Sequence, residues 1–282
     1  MTSVVFIAVV GAAVLHALWN ALVKGGVDKH LSMTSVVVGS APFGCVGIII
    51  APTPDMASLP FLLCGIALHI GYQTFLLNSY RIGDLTQVYP IARGSAPLLV
   101  AGVSVLFLNV RLSLEEQIAV VVIGAGIMSL SFVRRTDGMR NGRATVLALG
   151  TGCFIAGYSL VDGLGARAAG TALGYFSWLT VGNALVFGLL AANRSSDVFV
   201  RMFHEGKQLF FIGGGASFIA YALVTWAFTQ APIALVTALR ETSIVFALFI
   251  GVVFLKERLN LAKVGSTLVT LLGVALLRFA RH

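Results

Sequence analysis

Long apolar stretches dominate this chain, and short clusters of charged residues, Pro, Asn or Gly separate them. A helix needs roughly 20 apolar residues to cross the hydrocarbon core of a bilayer, where it satisfies its own backbone polar groups. The pattern therefore predicts about ten membrane-spanning helices. Their predicted bounds are 3–23, 31–51, 59–80, 85–108, 114–133, 144–164, 171–192, 207–229, 232–255 and 261–280.

The most charged stretch of the chain, residues 134–143, lies between two halves of nearly equal length. We interpret it as a solvated basic linker between a first repeat, residues 1–133, and a second repeat, residues 144–282. An odd number of helices in each half makes the second half enter the membrane from the opposite side. The predicted fold is an all-α integral membrane protein with ten transmembrane helices in two inverted five-helix repeats.

Two pairs of matching segments support the duplication. Arg93-Gly94-Ser95 aligns with Arg240-Glu241-Thr242, and the same separation along the chain places Arg111 on Arg258. The segment Ala17-Leu18-Trp19-Asn20 also resembles Ala156-Gly157-Tyr158-Ser159, although a different loop length is needed to align them. Inverted repeats of this kind are typical of transporters that work by alternating access.

Composition agrees with a membrane protein. Hydrophobic residues make up 58% of the chain and charged residues 11%, with a mean hydropathy of +0.95, which excludes an ordinary soluble domain. The net charge of +8 is spread over short loops, so we expect no nucleic-acid partner. The first apolar run lacks a charged leader and a cleavage site, which indicates a permanent helix.

The distribution of Lys and Arg predicts the orientation. The loops on one side of the predicted bundle, including the 134–143 linker, carry most of these residues. Because the basic side normally stays in the cytoplasm, we expect both termini outside a bacterial-type inner membrane. The cysteines, Cys45, Cys64 and Cys153, lie in apolar runs without ligand spacing, so we expect small buried side chains and no metal.

Two arginines inside apolar runs are the strongest candidates for a binding site. Arg93 and Arg240 occupy equivalent places in the fourth and ninth predicted helices, where an unpartnered cation costs several kcal/mol. They could converge on an acidic solute, with Tyr89 contributing a phenol one turn before Arg93. Alternatively, each arginine pairs with a carboxylate such as Glu241 and only stabilises helix packing. Glu241 could also couple transport to protons.

Polar and aromatic residues recur at helical spacing on three other predicted helices, where they could line a central cavity or form structural hydrogen bonds. Those predicted to bind substrate are Trp19, Asn20, Tyr72, Gln73 and Tyr158. Those proposed as further proton-coupling candidates are His16, His69 and Asp162. Pro90, Pro97 and Pro232 could bend or break the fourth and ninth helices. The glycines, including Gly213 to Gly215, predict close helix packing and no nucleotide site.

With its duplicated halves, paired arginine segments and the stretch Phe254-Leu255-Lys256-Glu257-Arg258-Leu259, the chain resembles EamA-type transporters of the drug/metabolite transporter superfamily. Segments 16–24 and 83–94 look like a subgroup associated with bacterial phosphonate utilisation. The chain departs from the family pattern at Asn109-Val110-Arg111, where the acid is missing. The resemblance also implies cytoplasmic termini, in conflict with the loop charges.

These observations predict a secondary transporter rather than an enzyme. Its solute would be a small polar, anionic or zwitterionic metabolite of the amino acid or aminophosphonate type, moved by alternating access. The bilayer and this solute are the expected partners, with no cofactor, and the protein would be a monomer or a homodimer. The alternatives are an intramembrane enzyme acting on a lipid or polyprenyl phosphate, and a scaffold or regulatory subunit.

Overall fold

The computed structural model describes residues 1–26, 28–82, 85–129, 142–253 and 261–280, together with most of their side chains. Within these ranges the chain forms helices and turns, with no β-strand. A 3-10 turn at Met56–Ser58 and a π-helical turn at Leu209–Gly213 accompany the α-helices. The α-helices are α1 Ser3–Gly25, α2 Lys29–Gly39, α3 Ala41–Ile50, α4 Leu59–Ile82, α5 Leu85–Leu106, α6 Leu114–Ser129, α7 Gly142–Ala168, α8 Ala172–Arg194, α9 Val198–His204, α10 Gly214–Gln230, α11 Ile233–Arg240, α12 Ser243–Val253 and α13 Leu261–Phe279.

Short polar residues start several of the helices. The Thr2 hydroxyl accepts a hydrogen bond from the Val5 N–H at α1, and the Asp28 carboxylate accepts from the N–H groups of His30 and Leu31 at α2. These acceptors satisfy backbone donors that the first helical turn leaves without partners. Gly170 connects α7 to α8 with a φ of +68°, a conformation that glycine adopts without steric cost.

Two of the predicted helices are interrupted. A turn at Ser40 separates α2 from α3, and the Glu241-Thr242 turn separates α11 from α12. Pro232 caps the start of α11, whereas α5 continues through Pro97 without a break. A break of the fourth helix by proline, one of the two effects predicted, is therefore wrong, and a bend stays a prediction. The ninth predicted helix is interrupted at Glu241, which lies inside the protein. An interrupted helix leaves backbone N–H and C=O groups without partners in the helix.

Within the part of the chain that the structure describes, six helical segments are long and apolar enough to span a bilayer. They are Ser3–Val23, Lys29–Ile50, Met56–Ser79, Gly142–Ala168, Ala172–Arg194 and Leu209–Gln230. Shorter apolar helices occur at Ile91–Leu106 and Val264–Phe279. Large apolar side chains such as Ile49 and Phe279 are exposed on the outer surface, where lipid would surround them. The chain is thus a multi-pass, all-helical membrane protein.

Small residues allow the helices to approach closely. Gly214 lies against the backbone of Gly39, so that a methyl group on Gly214 would overlap that backbone. Alanines such as Ala227, Ala234 and Ala238 are fully buried in the largest core cluster. This packing agrees with the role predicted for the glycines. The three cysteines, Cys45, Cys64 and Cys153, are exposed, so the prediction that they are buried is wrong.

Candidate functional site

A buried cluster of three charged side chains joins the two halves of the chain. The Arg93 guanidinium donates from Nη1 to both carboxylate oxygens of Glu241, at 3.0 and 3.3 Å. Arg240 donates to Glu241 Oε1 from Nη2 at 3.2 Å and from Nε at 3.4 Å. All three side chains are at most 3% exposed. One carboxylate therefore binds two arginines that lie at matching positions of the two halves.

Aromatic and polar side chains surround this cluster. The His16 ring contacts the Arg93 guanidinium through Nε2 and accepts a hydrogen bond at Nδ1 from the Trp19 indole N–H, at 3.2 Å. The guanidinium carbon of Arg240 lies 5.8 Å from the ring centres of both Tyr158 and Tyr221, within cation–π distance. Helix α1 thus connects to Arg93, and helices α7 and α10 connect to Arg240.

A cavity lies on the other side of these rings. Its volume is about 90 Å³, which is room for a few water molecules at about 30 Å³ each. His16, Trp19, Tyr158 and Tyr221 all line it, so the residues that contact the arginines also form its wall. The remaining lining residues are Met33, Val36, Val37, Ser40, His69, Tyr72, Gln73, Phe176, Leu179, Thr180, Asn183, Ser217 and Phe218.

A second buried carboxylate lies beside the same cavity. Asp162 is fully buried on α7, and its Oδ2 atom lies 2.8 Å from His69 Nε2 and accepts a 2.8 Å hydrogen bond from the Tyr221 hydroxyl. His69 stacks on Tyr158 with ring centres 4.3 Å apart. Tyr221 therefore contacts both Asp162 and Arg240, so the two charged clusters share a neighbour.

Most of the side chains predicted to bind substrate lie in one region. Trp19, Tyr72, Gln73 and Tyr158 line the cavity, as do His16 and His69. The other predicted residues lie behind the wall: Arg93, Arg240, Glu241 and Asp162 are buried there. Asn20 donates to the His16 carbonyl on its own helix. The side chain of Tyr89 lies outside the described part of the structure.

Both arginines pair with Glu241. This is the arrangement expected if each arginine only stabilises helix packing. The two arginines also lie close together, as expected if they bind an acidic solute. Only one layer of side chains separates them from the cavity. The geometry thus combines elements of both alternatives, and the roles of these residues stay predictions.

Sequence reasoning missed Tyr221 and the polar residues of α8. Ser217 and Tyr221 lie one helical turn apart within an apolar run, and both reach the cavity. On α8, Phe176, Thr180 and Asn183 recur at similar spacing. A search for polar residues at steps of three or four within each apolar run would have found these faces. Among the described residues, no group of three or more His, Cys, Asp or Glu side chains could hold a metal ion.

The fold and the site define a multi-pass membrane protein with a polar and aromatic cavity between its helices. Residues 143–279 match the EamA-like transporter family. These residues are thus an EamA-like domain, and the resemblance of the chain to EamA-type transporters of the drug/metabolite transporter superfamily is confirmed. Members of this family are transporters and not enzymes.

A search of solved structures finds chains with the fold of this protein. Among the matches is a crystal structure, titled only as that of a protein, at 17% sequence identity and a TM-score of 0.73. The superposition covers 98% of this chain and 96% of the other. At this identity the match establishes the fold alone. No curated protein matches the sequence of this chain.

Proposed function

We propose that this protein is a secondary transporter that moves a small polar metabolite with an acidic group, by alternating access around the central cavity. One observation carries the proposal: side chains from both halves of the chain line a single cavity, and a buried pair of arginines lies directly behind its wall. Polar cavities between helices are where membrane transporters bind their solutes.

The architecture that we propose is ten transmembrane helices in two inverted five-helix repeats. Helical segments coincide with each predicted span in the described residues, although α2 with α3 and α11 with α12 form interrupted pairs. Equivalent positions of the two halves also meet in one site, since Arg93 and Arg240 share Glu241 and both Trp19 and Tyr158 line the cavity. A pseudo-twofold axis would produce this pairing.

The charges support an acidic solute. Within the buried cluster two guanidinium groups face one carboxylate, and a low-dielectric surrounding lets their potential extend through His16 and the tyrosines. An acid group at the His16 side of the cavity would gain from this potential. Amino acids and aminophosphonates carry such a group, and the resemblance to the phosphonate-associated subgroup motivates including both.

We assign proton coupling to the His69–Asp162 pair, with Glu241 as the second candidate. His69 lines the cavity and lies 2.8 Å from the buried Asp162 carboxylate, so a proton that arrives through the cavity could reach both groups. Tyr221 links Asp162 to the neighbourhood of Arg240, which would make solute binding and protonation sensitive to each other.

Counterflow in liposomes tests this proposal. Purified protein would be reconstituted with an unlabelled solute inside, and the entry of labelled amino acids and aminophosphonates would be followed. We expect Arg93→Lys to impair transport, because an ammonium cannot reproduce the forked hydrogen bonds of a guanidinium. Correctly folded Arg93→Lys with unchanged kinetics would remove Arg93 from the mechanism. Hydrolysis of a polyprenyl phosphate without solute movement would favour the enzyme alternative.

The location that we propose is a bacterial-type inner membrane, with both termini outside. Cysteine labelling in sealed cells tests the orientation, because a cysteine introduced at Arg143 at the start of the second half should be reached only from the cytoplasm. Labelling of that cysteine from outside would reverse the assignment.

A further inference from the structure

Among the described residues, three buried acceptor atoms at the cavity have no hydrogen-bond partner in the protein. They are Gln73 Oε1 on α4, and Thr180 Oγ1 and Asn183 Oδ1 on α8. The three side chains are 4%, 5% and 9% exposed, and all of them line the cavity. We call them the amide wall.

An unpaired buried acceptor lowers stability, since it loses its bonds to water and gains nothing in return. Apolar side chains of similar shape would avoid this loss. Some buried hydroxyls away from the cavity find partners, as Thr270 does by donating to the carbonyl of Ser266 at 2.9 Å, whereas others, such as those of Thr237 and Ser243, do not. The three acceptors of the amide wall differ in that they line the cavity, where water or the donor groups of a ligand can reach them. Together they offer a site for a ligand that donates hydrogen bonds.

The amide wall and the arginine cluster flank different sides of the cavity. Helix α8 packs chiefly against α2, α3, α4 and α10, whereas α11 packs chiefly against α1, α5 and α6. Tyr158 and Tyr221 lie beside Arg240. Tyr72, next to Gln73 on α4, contacts Tyr158 with ring centres 5.5 Å apart, and Phe176, one turn before Thr180 on α8, contacts Tyr221 with ring centres 5.1 Å apart. The aromatic rings of the cavity thus connect the helices that carry the acceptors to the tyrosines beside Arg240.

The chemistry of the amide wall fits an ammonium group. A primary ammonium carries three donors, which matches the three acceptors in number. The aromatic rings of Tyr72 and Phe176 also attract a cation through their faces. The wall holds neutral oxygens, and the carboxylate beside the cavity, Asp162, is paired with His69 and Tyr221 and does not line it. A hard metal ion at the wall would therefore lack the charged ligands that it prefers.

We propose that the amide wall is the subsite for the ammonium group of the transported solute, and that it orients a zwitterion with its acid group toward His16 and the arginines. This inference rests on the proposed transport function. It makes Gln73, Thr180 and Asn183 specificity residues that distinguish an amino acid from the same acid without its amine.

Matched solute pairs in reconstituted liposomes test the proposal. The pairs are alanine with propionate, and 2-aminoethylphosphonate with ethylphosphonate. The wild-type protein should transport one of the amines, and should favour it over its des-amino partner by about tenfold to a hundredfold, the equivalent of one or two charged hydrogen bonds. Thr180→Val and Asn183→Leu should reduce this ratio to near one.

Thermal unfolding separates binding from a structural role. Because Thr180→Val removes an unpaired buried hydroxyl, the melting temperature should stay the same or rise while the preference for the amine disappears. Thr270→Val is the matched control: its hydroxyl is buried but paired, on a helix that does not line the cavity, and the preference should persist.

Three results would overturn the inference. Thr180→Val and Asn183→Leu could both unfold at lower temperature yet keep the preference, which would make the wall structural. The wild type could transport both members of a pair equally. It could also require Na⁺ for binding, and that result would place a metal ion at the wall. Absence of counterflow for every solute would instead refute the transport function itself, and with it the subsite.

Discussion

The Glu241→Gln substitution is the most direct test of the buried charge cluster. Glu241→Gln keeps the size of the side chain and removes the charge that binds Arg93 and Arg240. Each arginine would then lose the negative charge of Glu241, and the two guanidinium groups would repel each other in a medium of low dielectric. Removing one member of a buried ion pair costs about 3–5 kcal/mol, which corresponds to a fall in melting temperature of roughly 10 °C.

The measurement is thermal unfolding of the purified protein in detergent, with Glu205→Gln as the control. Glu205 also pairs with an arginine, Arg201, but at the surface with its side chain 57% exposed, so solvent screening should leave the melting temperature nearly unchanged. In a second step, Arg240→Met in the Glu241→Gln background should recover part of the loss, because it removes one of the repelling cations. Equal behaviour of the Glu241→Gln and Glu205→Gln proteins would refute the reasoning.

Three further predictions concern the frame around the site. Gly170→Ala should destabilise the protein by about 1–2 kcal/mol, measured by unfolding, because alanine disfavours the positive φ of 68° between α7 and α8. Gly214→Ala should lower the melting temperature through overlap with the Gly39 backbone, whereas Gly11→Ala, with open space around it, should not. Finally, Asp28 in the loop before α2 accepts hydrogen bonds from the Leu31 N–H and from Arg201, and both lower the pKa of its carboxyl group. The resulting stabilisation should be complete above the ordinary pKa of about 4 and fade as the pH falls through the lower folded value. The gap in melting temperature between wild type and Asp28→Asn should therefore shrink in acid; a gap that is constant with pH would contradict this.

Much of the site could be predicted from local spacing. His16 and Trp19 on α1, and His69, Tyr72 and Gln73 on α4, were found because polar residues at steps of three or four share one helix face. Their presence at one cavity follows from the same rule, since such faces avoid lipid. The faces of α8 and α10 obey the rule equally, so Asn183 and Tyr221 were accessible to the same search.

The role of each arginine could not be read from the chain. Arg93 and Glu241 lie in different halves, and only the packing of α5 against α11 brings the guanidinium within 3.0 Å of the carboxylate. The interruption at Glu241-Thr242 also has no proline to mark it, so the sequence offered no local signal for the turn that places this acid in the centre.

By itself the sequence determined that this chain belongs in a membrane and where its helical segments lie. Hydropathy and helix length are local properties of the sequence, and the thickness and apolarity of the bilayer set the values that a spanning helix needs. It also determined which faces carry polar groups. The tertiary structure alone decided that Glu241 is shared by two arginines and that the amide wall lines the same cavity as His16 and Tyr158, which contact those arginines. Such pairings depend on distances between helices that are remote in the chain, and many packings of the same apolar surfaces satisfy the bilayer equally well.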